Sequence, residues 1–175
     1  MKNSKGQIWV ETVIYTLIGL SIIAIVLSIV LPQIEEQKDK LILDQSYSLL
    51  TDINSQIENL RTYGEGNSQP FEIKLNKGSL MIGGINESIS FALDGKSKYS
   101  EPGQEVILGD ITALTVEKKN SYLVSLSLNY TGKVNITWQG KDENKQFQAS
   151  SVSYRLFIVN QGASKGLVNI DFRAA

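Results

Sequence analysis

The spacing of apolar positions changes character twice along this chain. Thr12 to Leu31 is a run of 20 residues without a charge. At ~1.5 Å of rise per residue such a run makes a helix ~30 Å long, the thickness of a bilayer's hydrocarbon core. Nothing else in the chain is comparably apolar, so residues 7–31 are expected to form a membrane helix. Beyond Pro32 the pattern is one-sided. Ile42, Leu49, Ile53, Ile57 and Leu60 recur at spacings of 7, 4, 4 and 3, with Glu35, Lys38, Asp52 and Glu58 in the polar remainder. This predicts an amphipathic helix over 33–63. Pro32 removes a backbone donor and crowds the preceding turn, so a kink or short break is expected near it. Gly64-Glu65-Gly66-Asn67-Ser68-Gln69-Pro70 ends the helix as a loop.

From Phe71 the period is two. Phe71, Ile73 and Leu75 alternate, as do Leu80 and Ile82 after a turn at Asn76-Lys77-Gly78. Ile89, Phe91 and Leu93 follow, then Leu114 and Val116, then Tyr122 to Tyr130, the cleanest alternation of all. Val134, Ile136 and Trp138 form another strand, and Gly140 to Lys145 reads as a loop. Val152 to Val159 is apolar on both phases, which suits a central or doubly covered strand. A loop over 160–166 and a last strand at Val168, Ile170 and Phe172 complete the pattern. Eight to ten short strands predict a sandwich or partly closed barrel over 70–175. The expected class is α+β: a long N-terminal helix followed by an antiparallel β-sandwich-like domain.

Charge orients the helix. Lys2, Lys5 and the amino terminus precede the apolar run, and Glu35, Glu36, Lys38, Asp39 and Lys40 follow it. The positive-inside rule puts residues 1–6 in the cytoplasm and everything after about Pro32 outside. The run ends Ser28-Ile29-Val30-Leu31-Pro32-Gln33, with no small-residue cleavage site of the secretory kind, so the helix is expected to be retained.

Glu11 stands directly against the apolar run, where a carboxylate is costly unless it is paired. The residues before it read Lys5-Gly6-Gln7-Ile8-Trp9-Val10. A short basic leader ending in Gly, a Gln that opens the next segment, and a Glu four residues on resemble the class III signal peptide of archaeal type IV pilin-like (prepilin-like) proteins. The likeness covers roughly the first 31 residues. Trp9 departs from it, since many relatives carry Ser at that place. The resemblance implies that residues 1–6 are a leader peptide. It implies cleavage between Gly6 and Gln7 by a membrane-embedded prepilin peptidase. It also implies that Glu11 serves subunit docking, with residues 7–31 as membrane anchor before assembly and filament core after it. A new ammonium at Gln7 would lie about one helical turn from Glu11, or reach Glu11 of a neighbour, and an opposite charge favours the ionised carboxylate.

Composition narrows the chemistry. The 175 residues contain 17 basic and 18 acidic side chains, a net charge of −1, which leaves no electrostatic footprint for nucleic acid. There is no Cys and no His, which removes thiolate chemistry, the commonest general base and the commonest metal ligand. No catalytic, cofactor-binding or metal site is expected, and the chain does not read as an enzyme. Asp142-Glu143-Asn144 lacks the spaced ligands and Gly of a calcium loop and reads as a solvated turn. Three N-x-[ST] sequons make Asn86, Asn129 and Asn135 candidate N-glycosylation acceptors, all three expected to point outward from strands.

These features lead to one expectation and one rival. The first is a structural, adhesive pilin subunit, major or minor, self-associating into a helical extracellular filament, with surface-layer or host-surface contacts made by its β-domain. The second is a single-pass anchor whose β-domain binds a cell-envelope partner, either a surface-layer protein or an accessory part of a surface machine.

Overall fold

The structure is a computed structural model that describes residues 4–164 and 166–175, with side chains from Trp9 onward. Helix α1 runs Ser4–Tyr63 and continues through Pro32 without the break expected as one outcome there. The chain divides into two compact units, the first ending at Lys38 and the second beginning at Asp39.

In the first unit the described residues all belong to α1. Its side chains from Trp9 to Ile34 are almost all exposed, and its apolar stretch has a mean hydropathy of 2.7. It is long and apolar enough to cross a membrane. Three hydroxyls in it turn inward to the helix backbone. Thr16 Oγ1 donates to the Thr12 carbonyl at 2.8 Å, Ser21 Oγ to Leu17 at 2.8 Å and Ser28 Oγ to Ile25 at 2.7 Å. No hydroxyl of these three needs water, which suits an apolar surrounding.

In the second unit the remainder of α1 packs with ten strands. They are β1 Ser68–Ile73, β2 Ser79–Gly83, β3 Ser88–Gly95, β4 Glu105–Leu108, β5 Ile111–Glu117, β6 Tyr122–Asn129, β7 Val134–Trp138, β8 Asn144–Gln148, β9 Tyr154–Ser164 and β10 Leu167–Ala174. One sheet has the order β1-β9-β10-β7, the other β4-β5-β6-β3-β2-β8. Every pairing is antiparallel except β10 with β7. The inner positions of both sheets and one stripe of α1 join a single hydrophobic cluster. The α+β class and the sandwich-like domain expected from the pattern are what the chain adopts.

The helix stripe differs from the expected one in its first half. Leu43 and Leu50 are fully buried, whereas Ile42 and Leu49 flank the core half-buried. Joined by Asp39 and Ser46, the buried set becomes 39, 43, 46, 50, 53, 57 and 60, a spacing that alternates 4 and 3. The two polar members hid this seam in the sequence. Ser46 is satisfied within the helix, bonding the Ile42 carbonyl at 2.7 Å. Asp39 is 2 % exposed and accepts from the Lys96 backbone N–H at 2.7 Å and from Lys77 Nζ. Its carboxylate occupies the place where a side chain on Gly95 would stand: a Cβ there would lie 2.4 Å from Asp39 Oδ2.

Helix α1 ends at Gly64, whose φ of 87° is the left-handed conformation that terminates helices. Asn67 Nδ2 then donates to the Tyr63 and Gly64 carbonyls at 2.9 and 3.2 Å, closing orphan acceptors of the last turn. The buried Asn160 holds this end in place. Its Nδ2 donates to the Leu60 carbonyl at 2.7 Å, its Oδ1 accepts from Gly162 N, and its backbone pairs with Gly66 and Asn67.

That tertiary role explains one misread segment. Residues 160–166 have loop composition, yet β9 extends to Ser164 and pairs antiparallel with β10 from Leu167, with a register shift between Val168 and Ile170. The expected strand at Val152 begins instead at Tyr154, and Val152 is 71 % exposed. The double-phase strand is central, between β1 and β10, though Phe157 remains exposed on its outer side. Strand β8 starts at Asn144, inside the run of loop composition, and β4 carries no apolar-polar alternation that would mark it in the sequence. Both are short edge strands, where one apolar contact (Phe147 in β8) is enough.

Candidate functional site

Three groups of residues carry the functional expectations: the start of α1, the sequons, and the polar clusters of the β-domain. Gly6 and Gln7 lie in the first turns of α1, with Met1 to Asn3 outside the described residues. Glu11 is exposed on the same helix beside Trp9, Val10 and Ile14. The Tyr15 hydroxyl, one turn along, donates to Glu11 Oε1 at 3.4 Å. This long contact leaves most of the carboxylate's acceptor capacity open. The arrangement is therefore an apolar cylinder with one carboxylate near its start and a phenol leaning on it. Tyr15 is a neighbour that spacing of i and i+4 makes findable in the sequence.

The sequons fall in three different settings. Asn86 is exposed in the turn between β2 and β3, not in a strand as its phase suggested. The strand begins two residues later, at Ser88, because Gly84 to Glu87 close a four-residue turn. Asn129 is exposed at the end of β6, its Oδ1 accepting from Thr131 N at 2.9 Å. Thr131 Oγ1 in turn donates to the Asn86 carbonyl at 3.4 Å, so these two sequons are neighbours. Asn135 is half-buried in β7 and donates from Nδ2 to Asn169 Oδ1 at 3.0 Å. The Thr137 of that third sequon is buried and bonds Asp171 Oδ1 at 2.7 Å.

Asp171 is the most enclosed carboxylate of the β-domain. It is fully buried on the outer side of its sheet, and it accepts from Thr137, Gly140 N, Gln161 and Arg173 at 2.6–2.9 Å. Four donors, one of them a guanidinium, satisfy a charge that burial would otherwise penalise. With its lone pairs filled, this group holds the outer surface together and offers nothing to a substrate. In the Asp142-Glu143-Asn144 run, Glu143 lies 3.7 Å from Lys141 Nζ and Asn144 Oδ1 accepts from Ile85 N at 3.2 Å. Among the described residues no group of three or more acidic, His or Cys side chains is placed to hold a metal ion.

One further carboxylate has a defined structural task. Glu87 has a φ of 48°, unusual for a residue with a side chain, and its carboxylate accepts from the Ile136 backbone N–H of β7. Burial pushes the Glu87 carboxyl above its ordinary range. The Ile136 hydrogen bond pulls it back in part, and the nearby charge of Asp142 adds to the rise.

No family model, curated protein or solved structure matches this chain. The reading of its function therefore rests on its own residues.

Proposed function

We propose that this chain is a structural, adhesive subunit of an archaeal type IV pilus-like surface filament. The observation that supports the reading is the bare apolar surface of α1 from Trp9 to Ile34, interrupted near its start by one carboxylate. Burying a large aliphatic side chain is worth about 1.5–3 kcal/mol, so this surface represents tens of kcal/mol that water does not satisfy. Lipid satisfies it before assembly, with the amino terminus cytoplasmic and the β-domain outside. Copies of the same helix satisfy it in a filament core. An anchor needs apolarity alone, and Glu11 works against that. In a packed bundle, Glu11 gains a partner in the ammonium that cleavage before Gln7 creates. The β-domain is displayed outside, and exposed Asn86 and Asn129 are its accessible sugar acceptors.

The deciding experiment is N-terminal sequencing and intact mass of the protein from native membranes and from sheared surface filaments. A start at Gln7 in the sheared fraction is expected, and a mass above that of the bare polypeptide would report the sugars. A start at Met1, with all material left in membranes, overturns the filament reading and leaves a single-pass anchor for an envelope-binding domain. Glu11→Ala is expected to be cleaved and inserted but to be depleted from filaments. Normal incorporation of that variant removes the docking role from Glu11.

A further inference from the structure

The two sheets of the β-domain end in β1, β7, β4 and β8, and three of these strands carry devices that disfavour pairing. Strand β1 carries Pro70, which has no N–H to offer. Strand β7 has its outward N–H groups already engaged: Val134 by the Tyr130 carbonyl at 3.1 Å, Ile136 by the Glu87 carboxylate, and Trp138 by the Lys141 carbonyl at 2.9 Å. Strand β8 presents Lys145 among Asn144, Gln146 and Gln148, with its one aromatic turned inward. Such devices are how proteins keep sheet edges from pairing with other chains.

Strand β4 is blunted only by its shortness and by Glu105 at its start. It reads Glu105-Val106-Ile107-Leu108, with no Pro, no Lys and no shift in its register with β5. Among the described residues nothing is hydrogen-bonded to its outer edge, and Ile107 is 75 % exposed. We infer that the free edge of β4 is a strand-pairing site for a second copy of this chain.

Two arguments select that occupant. In a second copy β1, β7 and β8 carry features that disfavour pairing, so the edge best able to meet β4 is β4 itself. Like edges pair about a two-fold axis. Keeping both inner faces on the same side requires one residue to stand opposite itself. Centring on Ile107 sets Val106 opposite Leu108 of the second copy and Glu105 opposite Gly109. Gln104 then meets Asp110. No like charges face each other, and the two Glu105 carboxylates sit four residues apart along the ladder, ~13 Å at ~3.3 Å per residue.

A four-residue edge buries far less than the roughly 1,200–2,000 Å² of a stable interface. The pairing is therefore weak in free solution and acts between copies concentrated on one membrane, so its strength rests on the anchoring part of the proposed function.

The chain has no Cys, so a single introduced thiol reports the contact. In the full-length protein in native membranes, Ile107→Cys places two thiols on residues with Cα atoms ~4.5–5.5 Å apart, within disulfide range. Thr112→Cys, opposite Ile107 on β5, places them three strand spacings apart, ~14 Å. Under mild oxidation the expected result is a disulfide dimer of the first variant at least ten-fold above the second. Equal yields from the two, no dimer from either, or a disulfide to a different polypeptide overturns the inference. Fractionation of the same samples separates the two readings. If the protein is not in the membrane, anchoring fails, and the same pair of variants on soluble material concentrated to ~1 mM decides strand pairing.

Discussion

Gly95 and Asp39 should behave as one unit, and the sign of a glycine substitution should reveal it. Asp39→Ala leaves the Lys96 N–H without its acceptor, which costs ~1–3 kcal/mol for a buried donor. It also removes the Lys77 pair. The Lys77 side chain is nearly half exposed, so solvent reduces that contribution to ~1 kcal/mol. The expected loss is about 2–4 kcal/mol, a sizeable part of the 5–15 kcal/mol typical of a domain. Gly95→Ala should cost a similar amount in the wild type, because its Cβ would lie 2.4 Å from Asp39 Oδ2 and drive the carboxylate off Lys96 N. Gly95 has no left-handed backbone to oppose Ala, and in a strand Ala is otherwise preferred by roughly 0.5–1 kcal/mol. In the Asp39→Ala background the same substitution should therefore be neutral or stabilising. The assay is urea unfolding of the full chain in detergent, read by the buried Trp138 in a Trp9→Phe background. At ~1–3 kcal/mol per molar urea, the single variants should lower the midpoint by about 0.7–4 M. Effects of the two substitutions that add to within ~0.5 kcal/mol refute the reasoning, since contacting residues must couple and independent ones need not.

Three other outcomes follow from the same packing. Leu50→Ala should cost about 2–5 kcal/mol and Leu49→Ala clearly less, because only the former side chain is fully buried; equal losses in urea unfolding would restore the stripe expected from the sequence. Glu87→Gln keeps an acceptor for Ile136 N and removes a carboxylate whose burial raises its proton affinity. A carboxyl raised above 4.5 in the folded state holds its proton more readily than in the unfolded chain, so this group favours folding below 4.5 and loses that effect as the pH rises through its folded value. The variant should thus be more stable than wild type at pH 7, with the difference shrinking as the pH falls towards 4; a difference independent of pH removes desolvation as the cause. Asn160→Ala strips the amide from the Leu60 carbonyl and from Gly162 N, and should lower stability by about 2–4 kcal/mol, with early loss of hydrogen-exchange protection at the end of α1.

What the sequence determined by itself lies where a single physical preference acts over many residues. Twenty consecutive uncharged residues decide a continuous apolar helix, because a helix satisfies its backbone donors and acceptors within itself where no water can. The alternation from Tyr122 to Tyr130 likewise decides a half-buried strand. Glu11, Gly6 and Gln7 were legible as candidate positions, since they are defined by adjacency along the chain.

Tertiary structure decided the points at which one polar group outweighs local pattern. The seam of α1 shifted to Leu43 and Leu50 because Asp39 is buried, and Asp39 is buried because Lys96 N, Lys77 and the missing side chain of Gly95 receive it. Residues 160–164 are strand because the helix end supplies partners for Asn160. Strands β4 and β8 exist because a neighbour's edge was free to pair, a fact that no window of sequence contains. The separation of the Asn135 sequon from the Asn86 and Asn129 pair came from the same source. Hydrogen bonds between residues far apart in the chain cost or stabilise as much as several local preferences together, and their partners are known only once the chain has folded.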